Sequence, residues 1–99
     1  MSFGIGSKVW LPCEVRPGPF SDERLVRVSA DTGPEWVGFV ETRWLREPLA
    51  EGYTEVLSIV VEVRDDTFAA RIPGHTPTGQ LFEGLTKRAK PSGSLQARA

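Results

Sequence analysis

An alternation of apolar and polar residues with a period of two is the feature of this sequence that most restricts its fold. In residues 8–15, one face of an extended chain carries the apolar set Val9, Leu11, Cys13 and Val15. In residues 54–64, one face carries Leu57, Ile59, Val61 and Val63. Successive side chains of a β-strand point to opposite faces, so this period is typical of a half-buried strand. No segment shows a sustained helical stripe. The sequence therefore predicts an all-β, or mostly β, fold.

Shorter strand patterns fill the space between these two segments. Residues 24–29 and 35–40 flank a turn-forming stretch that contains Gly33 and Pro34, which predicts an antiparallel hairpin. Residues 41–47 are too few for an independent helix, so they predict a single 3₁₀ or helical turn. Pro12 lacks an N–H, so its strand should run along a sheet edge or carry a bulge there.

The second half of the chain predicts a further β unit over residues 54–85. A turn at Asp65–Asp66 would lead into a strand with the inward set Phe68, Ala70 and Ile72, and residues 80–85 would form a last short strand. We therefore expect five to six short antiparallel strands, in the pattern of a small barrel. At 99 residues the chain has the size of one domain, predicted over residues 1–88, with a flexible, disordered tail at 89–99.

Composition limits the class of protein. The net charge is −1, so no overall field attracts the chain to nucleic acid or to a membrane surface. Cys13 is the only cysteine, and a secreted domain this small would usually carry several disulfides. There is neither a signal-peptide pattern at the N-terminus nor an apolar run of the roughly 20 residues that span a bilayer. These features predict a cytoplasmic protein with no membrane partner.

The segment Gly38-Phe39-Val40-Glu41-Thr42-Arg43-Trp44-Leu45 resembles the strand and 3₁₀ turn that close SH3 domains. The opening Gly6-Ser7-Lys8-Val9-Trp10-Leu11 is similar to the first strand of bacterial SH3-like domains. The resemblance covers residues 6–47 and implies an SH3-like barrel. Glu41 stands where SH3 domains have proline and Trp44 where they have tyrosine, so their proline-peptide specificity is not implied.

Surplus aromatic residues are the main candidates for a binding site. Trp10 lies on the face opposite Val9 and Leu11, and Trp36 on the face opposite the expected core pair Val37 and Phe39. Outward aromatics often mark contact surfaces, although the second half of the chain could instead cover them. The predicted function is a non-enzymatic module that binds another protein. Its candidate contact residues are Trp10, Trp36, Trp44, Phe20 and Arg43.

Nucleic-acid binding is the alternative, because arginines alternate with these aromatics and the C-terminal end is basic. Its candidate residues are Arg24, Arg27, Lys87, Arg88 and Lys90. A phosphate-binding surface should be locally basic, whereas residues 1–50 contain a balanced mixture of acids and bases. Those arginines can equally be a solvated face with weak ion pairs.

Catalytic chemistry has little support in the sequence. His75 is the only histidine, in a loop rich in proline and glycine, and nothing in the spacing joins it to Cys13 and an acid as a nucleophilic site. One histidine and one cysteine do not suffice for a zinc site, and no glycine-rich phosphate motif occurs. We expect no catalytic residue, metal or cofactor, and hold open an enzyme site formed on oligomerisation. A homodimer is possible, because the strand at 54–64 would be exposed unless paired.

Overall fold

The computed structural model describes residues 4–30, 33–76, 79–88 and 90–91. In these ranges it is mostly β, as predicted, with two 3₁₀ turns at Thr42–Trp44 and Thr86–Arg88. The strands in chain order are β1 (Lys8–Pro17), β2 (Glu23–Val28), β3 (Trp36–Glu41), β4 (Gly52–Arg64), β5 (Thr67–Arg71), β6 (Gly74–His75), β7 (Phe82–Leu85) and β8 (Lys90–Pro91). The predicted tail at 89–99 lies outside the described residues, except for the backbone of β8.

All strands belong to one antiparallel sheet in the order β6-β3-β2-β1-β4-β5-β7, with β8 added beside β1. Only Ile72 and Pro73 separate the end of β5 from the start of β6, yet these strands lie near opposite ends of that order. Three Cα–Cα steps span about 11 Å at most. The sheet must therefore curl until β3 approaches β5, which gives a small half-barrel.

The concave side of the sheet holds the core. The inward sets predicted for β1 and β5 are confirmed, because each of their members is buried: Val9, Leu11, Cys13, Val15, Phe68, Ala70 and Ile72. Valines of β2 and Phe82 of β7 complete this cluster. The predicted helical turn is also confirmed, and Leu45 directly after it is buried and bridges Val56 of β4.

In β4 the apolar face predicted from Leu57, Ile59, Val61 and Val63 is not the face that packs in the core. The buried residues are Val56, Ser58 and Val60, while Ile59 is exposed. A β-bulge causes the difference. Val60 and Glu62 pair with the consecutive residues Ala70 and Ala69 of β5, so β4 carries one extra residue there. Such an insertion exchanges the two faces of a strand. Beyond the bulge, Val63 packs against the core as the pattern expected.

In β3 the predicted faces are reversed. Trp36, expected to point outward, is only 1% exposed, and Val40 is also buried, whereas Phe39, expected in the core, is exposed. Two glycines, Gly38 of β3 and Gly74 of β6, allow the reversal. A Cβ on Gly38 would lie 2.5 Å from the carbonyl oxygen of His75 and 2.7 Å from Cη2 of Trp36. Glycine therefore lets the backbones of β3 and β6 approach each other under the indole.

The position of Pro12 differs from the edge strand or bulge that the sequence predicted, because β1 continues through Pro12 without a register shift against β4. β1 is an internal strand, but its ladder with β2 ends at the pair Glu14–Arg27, and β8 pairs only with Val9 and Trp10. Among the described residues, no strand pairs with residues 11–13 on that side. Proline has no N–H to donate, so the gap coincides with a residue that lacks a ladder donor.

β4 has partners on both sides. It pairs with β1 from Gly52 to Ile59 and with β5 from Ile59 to Arg64. The strand is therefore paired within the described part of the chain, and the homodimer stays a prediction.

Ser58 gives a prediction about stability. Its side chain is fully buried on the inner face of β4, and its hydroxyl oxygen has no hydrogen-bond partner among the described residues. An unsatisfied buried polar group costs about 1–3 kcal/mol. We expect Ser58→Ala to raise the free energy of unfolding by about 1 kcal/mol in urea titrations. Ser29→Ala, at an exposed position, is the matched control. A loss of stability in Ser58→Ala would contradict this reading of the core.

Candidate functional site

The predicted contact residues fall into three different places. Trp36 is in the core and cannot contact a partner. Trp10 is half-buried on the outer face of β1. Phe20, 66% exposed, lies in the loop between β1 and β2, where the amide of Thr42 donates to the carbonyl of Asp22 at 2.9 Å. That bond holds the 3₁₀ turn, and with it Arg43 and Trp44, beside the loop.

Trp10 belongs to an apolar patch on the outer face of the sheet. It lies directly opposite Leu57 of β4 and is followed along the face by exposed Pro12. Ile59 is 45% exposed and Tyr53 is 77% exposed, and both alternate with the buried residues of β4. We call these five residues, Trp10, Pro12, Tyr53, Leu57 and Ile59, the outer patch.

Arg46 fixes the position of the Trp10 ring. Its guanidinium carbon lies 5.2 Å from the ring centroid, within the range of a cation–π contact. The same guanidinium forms an ion pair with Glu55 at 2.8 Å, and the amide of Arg46 donates to the carbonyl of Glu55 at 2.8 Å. A ring held in this way loses little conformational freedom when a partner binds.

Trp44 forms a second arginine–aromatic pair, separate from the outer patch. Arg43 lies 4.9 Å from the Trp44 ring centroid and is paired with Glu41 at 2.8 Å, while the indole packs partly against the core. Trp10 precedes the end of β1 at Pro17 by seven residues, so it lies roughly 23 Å along the strand from the loop that holds Phe20. Trp10 and Phe20 are therefore not parts of one contact surface, although only Leu45 separates Trp44 from Arg46 along the chain.

The arginines proposed for nucleic acid are engaged within the protein. Arg24 donates to the backbone carbonyls of Ser21, Glu23 and Leu49, which anchors two loops. Arg27 lies 3.9 Å from Glu35. Lys87 is exposed, whereas the side chains of Arg88 and Lys90 lie outside the described part. Within that part, Arg24 and Arg27 therefore already have partners in the protein itself.

A cavity of about 630 Å³ lies beside the outer patch, at the gap in the ladder that Pro12 creates. Buried Leu11, Cys13 and Val28 contribute to its floor, and Pro12 and Tyr53 of the outer patch also line it. Residues from both faces of β1 take part, so the gap connects the outer face with the edge of the core. The outer patch thus has a recess at one end.

Cys13 is not placed for nucleophilic chemistry. Burial raises the pKa of its thiol to about 12, so the thiol stays protonated at neutral pH. His75 lies on β6, and two strands separate β6 from β1 in the sheet. The described residues contain no group of three or more metal-ligating side chains.

No helix in the described residues is both long and apolar enough to span a membrane. Comparison with protein families, curated proteins and solved structures gives no match to this chain.

Proposed function

We propose that this chain is a non-enzymatic protein-binding module and that the outer patch is its contact surface. One observation carries the proposal: Leu57 and Ile59, the latter 45% exposed, lie beside Trp10 on the outer faces of β1 and β4, and Tyr53, 77% exposed, lies four residues from Leu57 on the same face. Exposed aromatic and aliphatic side chains that adjoin one another are typical of protein contact surfaces. Trp10, together with Arg46 over its ring, matches the residue types that contribute most to binding energy.

The arrangement favours a protein partner whose surface is apolar at the centre and acidic or polar at the edge. Leu57 and Ile59 offer aliphatic area, and Lys8 lies directly opposite Ile59 with its side chain exposed. The Arg46–Glu55 pair supplies hydrogen-bonding groups beside Trp10. Apolar contact surrounded by polar groups is the usual composition of a specific interface.

The fold is compatible with an SH3-type origin, which we propose as the finer classification. The segment Gly38–Leu45 forms the end of β3 and a 3₁₀ turn, the elements that the resemblance implied. Three residues of the outer patch, Tyr53, Leu57 and Ile59, belong to β4 and lie outside the segment 6–47 that resembles SH3 domains. The proposed contact surface therefore does not depend on SH3 ligand specificity.

The test compares the affinity of a captured protein partner for the unaltered protein with its affinity for variants of the outer patch. A partner isolated from cell lysate should bind Trp10→Ala and Tyr53→Ala at least about 10-fold more weakly than the unaltered protein, equivalent to about 1.4 kcal/mol. Glu51→Ala, an exposed position outside the patch, should bind normally. Circular dichroism should show that all variants keep the β fold.

Two results would count against this proposal. One is the absence of any saturable protein partner that the patch variants weaken. The other is capture that nuclease treatment abolishes and that falls steeply with salt, because phosphate contacts release counterions. The second result would favour the nucleic-acid alternative, with Lys87, Arg88 and Lys90 as the bases to substitute.

A further inference from the structure

A second pocket lies where the chain passes from β5 to β6, beside the segment that leads into β7. Its volume is about 280 Å³. The polar lining includes Arg71, His75 and Thr76, and the apolar lining includes Pro73 and Leu81. It shares no lining residue with the outer patch, although Arg71 is the ladder partner of Ile59, which belongs to that patch.

Arg71 differs from the other arginines whose side chains the structure describes. Each of the others contacts a carboxylate or donates to backbone carbonyls, through the pairs Arg16–Glu14, Arg27–Glu35, Arg43–Glu41, Arg46–Glu55 and Arg64–Glu62 and the carbonyl contacts of Arg24. Arg71 is exposed at the end of β5 and has no such partner in the described part of the chain. A guanidinium without a carboxylate can receive one from a ligand.

The lining also lacks acids. Among the described residues around this pocket there is no aspartate or glutamate, whereas the 630 Å³ cavity is lined by Glu14 and Glu35. The protein as a whole carries 13 acids against 12 lysines and arginines. A pocket that contains an unpaired arginine and no carboxylate is therefore a local positive site on a nearly neutral molecule.

The donors in this pocket suit an oxyanion. The guanidinium presents several N–H groups in a planar fork that matches phosphate oxygens, the imidazole can donate through a ring N–H, and the Thr76 hydroxyl can donate or accept. Gln80 also lines the pocket, but its amide donates to the carbonyl of Glu35 at 3.0 Å. The volume of about 280 Å³ leaves room for a phosphoryl group and a small organic substituent.

We propose that this pocket binds the phosphoryl group of a small phosphate monoester, with Arg71 as the main contact and His75 and Thr76 as additional donors. Pro73 and Leu81 form the wall against which an organic substituent would pack. No pattern in the sequence assigns a role to His75, and this proposal provides one that requires neither a nucleophile nor a metal.

Titration with phenyl phosphate, followed by amide chemical shifts in ¹H–¹⁵N spectra, tests the proposal. We expect saturable shifts confined to residues 71–76 and 79–81, with a dissociation constant on the order of 1 mM. Arg71→Ala should weaken binding at least about 10-fold, and Arg71→Lys should weaken it less, because lysine keeps the charge but not the fork. Inorganic phosphate should bind more weakly than phenyl phosphate.

Arg64→Ala is the matched control, since Arg64 is at the other end of the same β4–β5 hairpin and is paired with Glu62. It should leave the titration unchanged. The proposal fails if phenyl phosphate produces no saturable shifts at these amides. It also fails if Arg64→Ala weakens binding as much as Arg71→Ala does, which would indicate unspecific attraction of anions. Equal binding of phenyl phosphate and inorganic phosphate would overturn the part assigned to Pro73 and Leu81.

Discussion

Gly74→Ala is expected to lower the free energy of unfolding by about 2–4 kcal/mol, because it forces atoms into a space that is already filled. A Cβ at this position would lie 2.5 Å from the carbonyl oxygen of Phe39 and 2.8 Å from Cγ2 of Val40. The first of these atoms belongs to the backbone of β3 and cannot rotate away. To relieve this overlap, β6 would have to move away from β3. That movement would break the β3–β6 pairing, which closes the half-barrel.

Chemical denaturation measures this effect, and Gly4→Ala is its control. In the part of the chain that the structure describes, no heavy atom lies within 4 Å of a Cβ built on Gly4, so its substitution should change stability by less than about 0.5 kcal/mol. Equal stability of the two variants would show that β3 and β6 do not approach as closely as described.

Trp36→Ala is the second substitution with a large expected effect. The indole is one of the largest fully buried side chains, and its removal from the centre of the core should cost about 3–5 kcal/mol. Trp10→Ala should cost much less, because Trp10 is half-buried on the outer face. Urea titrations of both variants provide the comparison.

Fluorescence quenching distinguishes the two tryptophans without reference to stability. In the Trp10→Phe variant the remaining emission comes from Trp36 and Trp44, and in the Trp36→Phe variant from Trp10 and Trp44. An aqueous quencher should therefore act more strongly on the second variant, which retains Trp10. The assignment of Trp36 to the core is wrong if the first variant is quenched more strongly.

Local pattern predicted the elements of this fold better than it predicted their faces. β1, the β2–β3 hairpin and the 3₁₀ turn follow from alternation and turn residues that are adjacent in sequence. The face of β4 could not be predicted in the same way, because both of its faces are apolar up to the bulge at Val61. A bulge depends on the pairing with β5, which the sequence of β4 alone does not contain.

The orientation of β3 depended on distant residues too. Trp36, Gly38 and Val40 share one face of β3, and Val37 and Phe39 share the other. Both faces therefore carry large apolar residues, and the period alone does not show which face is buried. Gly38 was the available signal, because glycine inside a strand often marks a close approach of another backbone. The partner in that approach, Gly74–His75, lies more than thirty residues later in the chain.

The candidate site was only partly predictable for a similar reason. Trp10 could be placed on the outer face from the period of β1, and it is there. Its contact with Arg46 depends on residues 45–46 lying beside Val56 and Glu55 of β4, which no local pattern indicates. Leu57 and Ile59 were expected on the buried face, so their contribution to the outer patch could not be foreseen.

The position of β1 in the sheet affects the order in which the protein can assemble during synthesis. β1 is made first among the strands, but its longest pairing is with β4, and its pairing with β8 involves Lys90 and Pro91. Until ribosomes have produced those segments, β2 is the neighbour with which β1 can form a ladder. Before β4 is synthesised, the apolar face of β1 would therefore be partly exposed in the nascent chain. Chaperones would be most useful to the cell during that period.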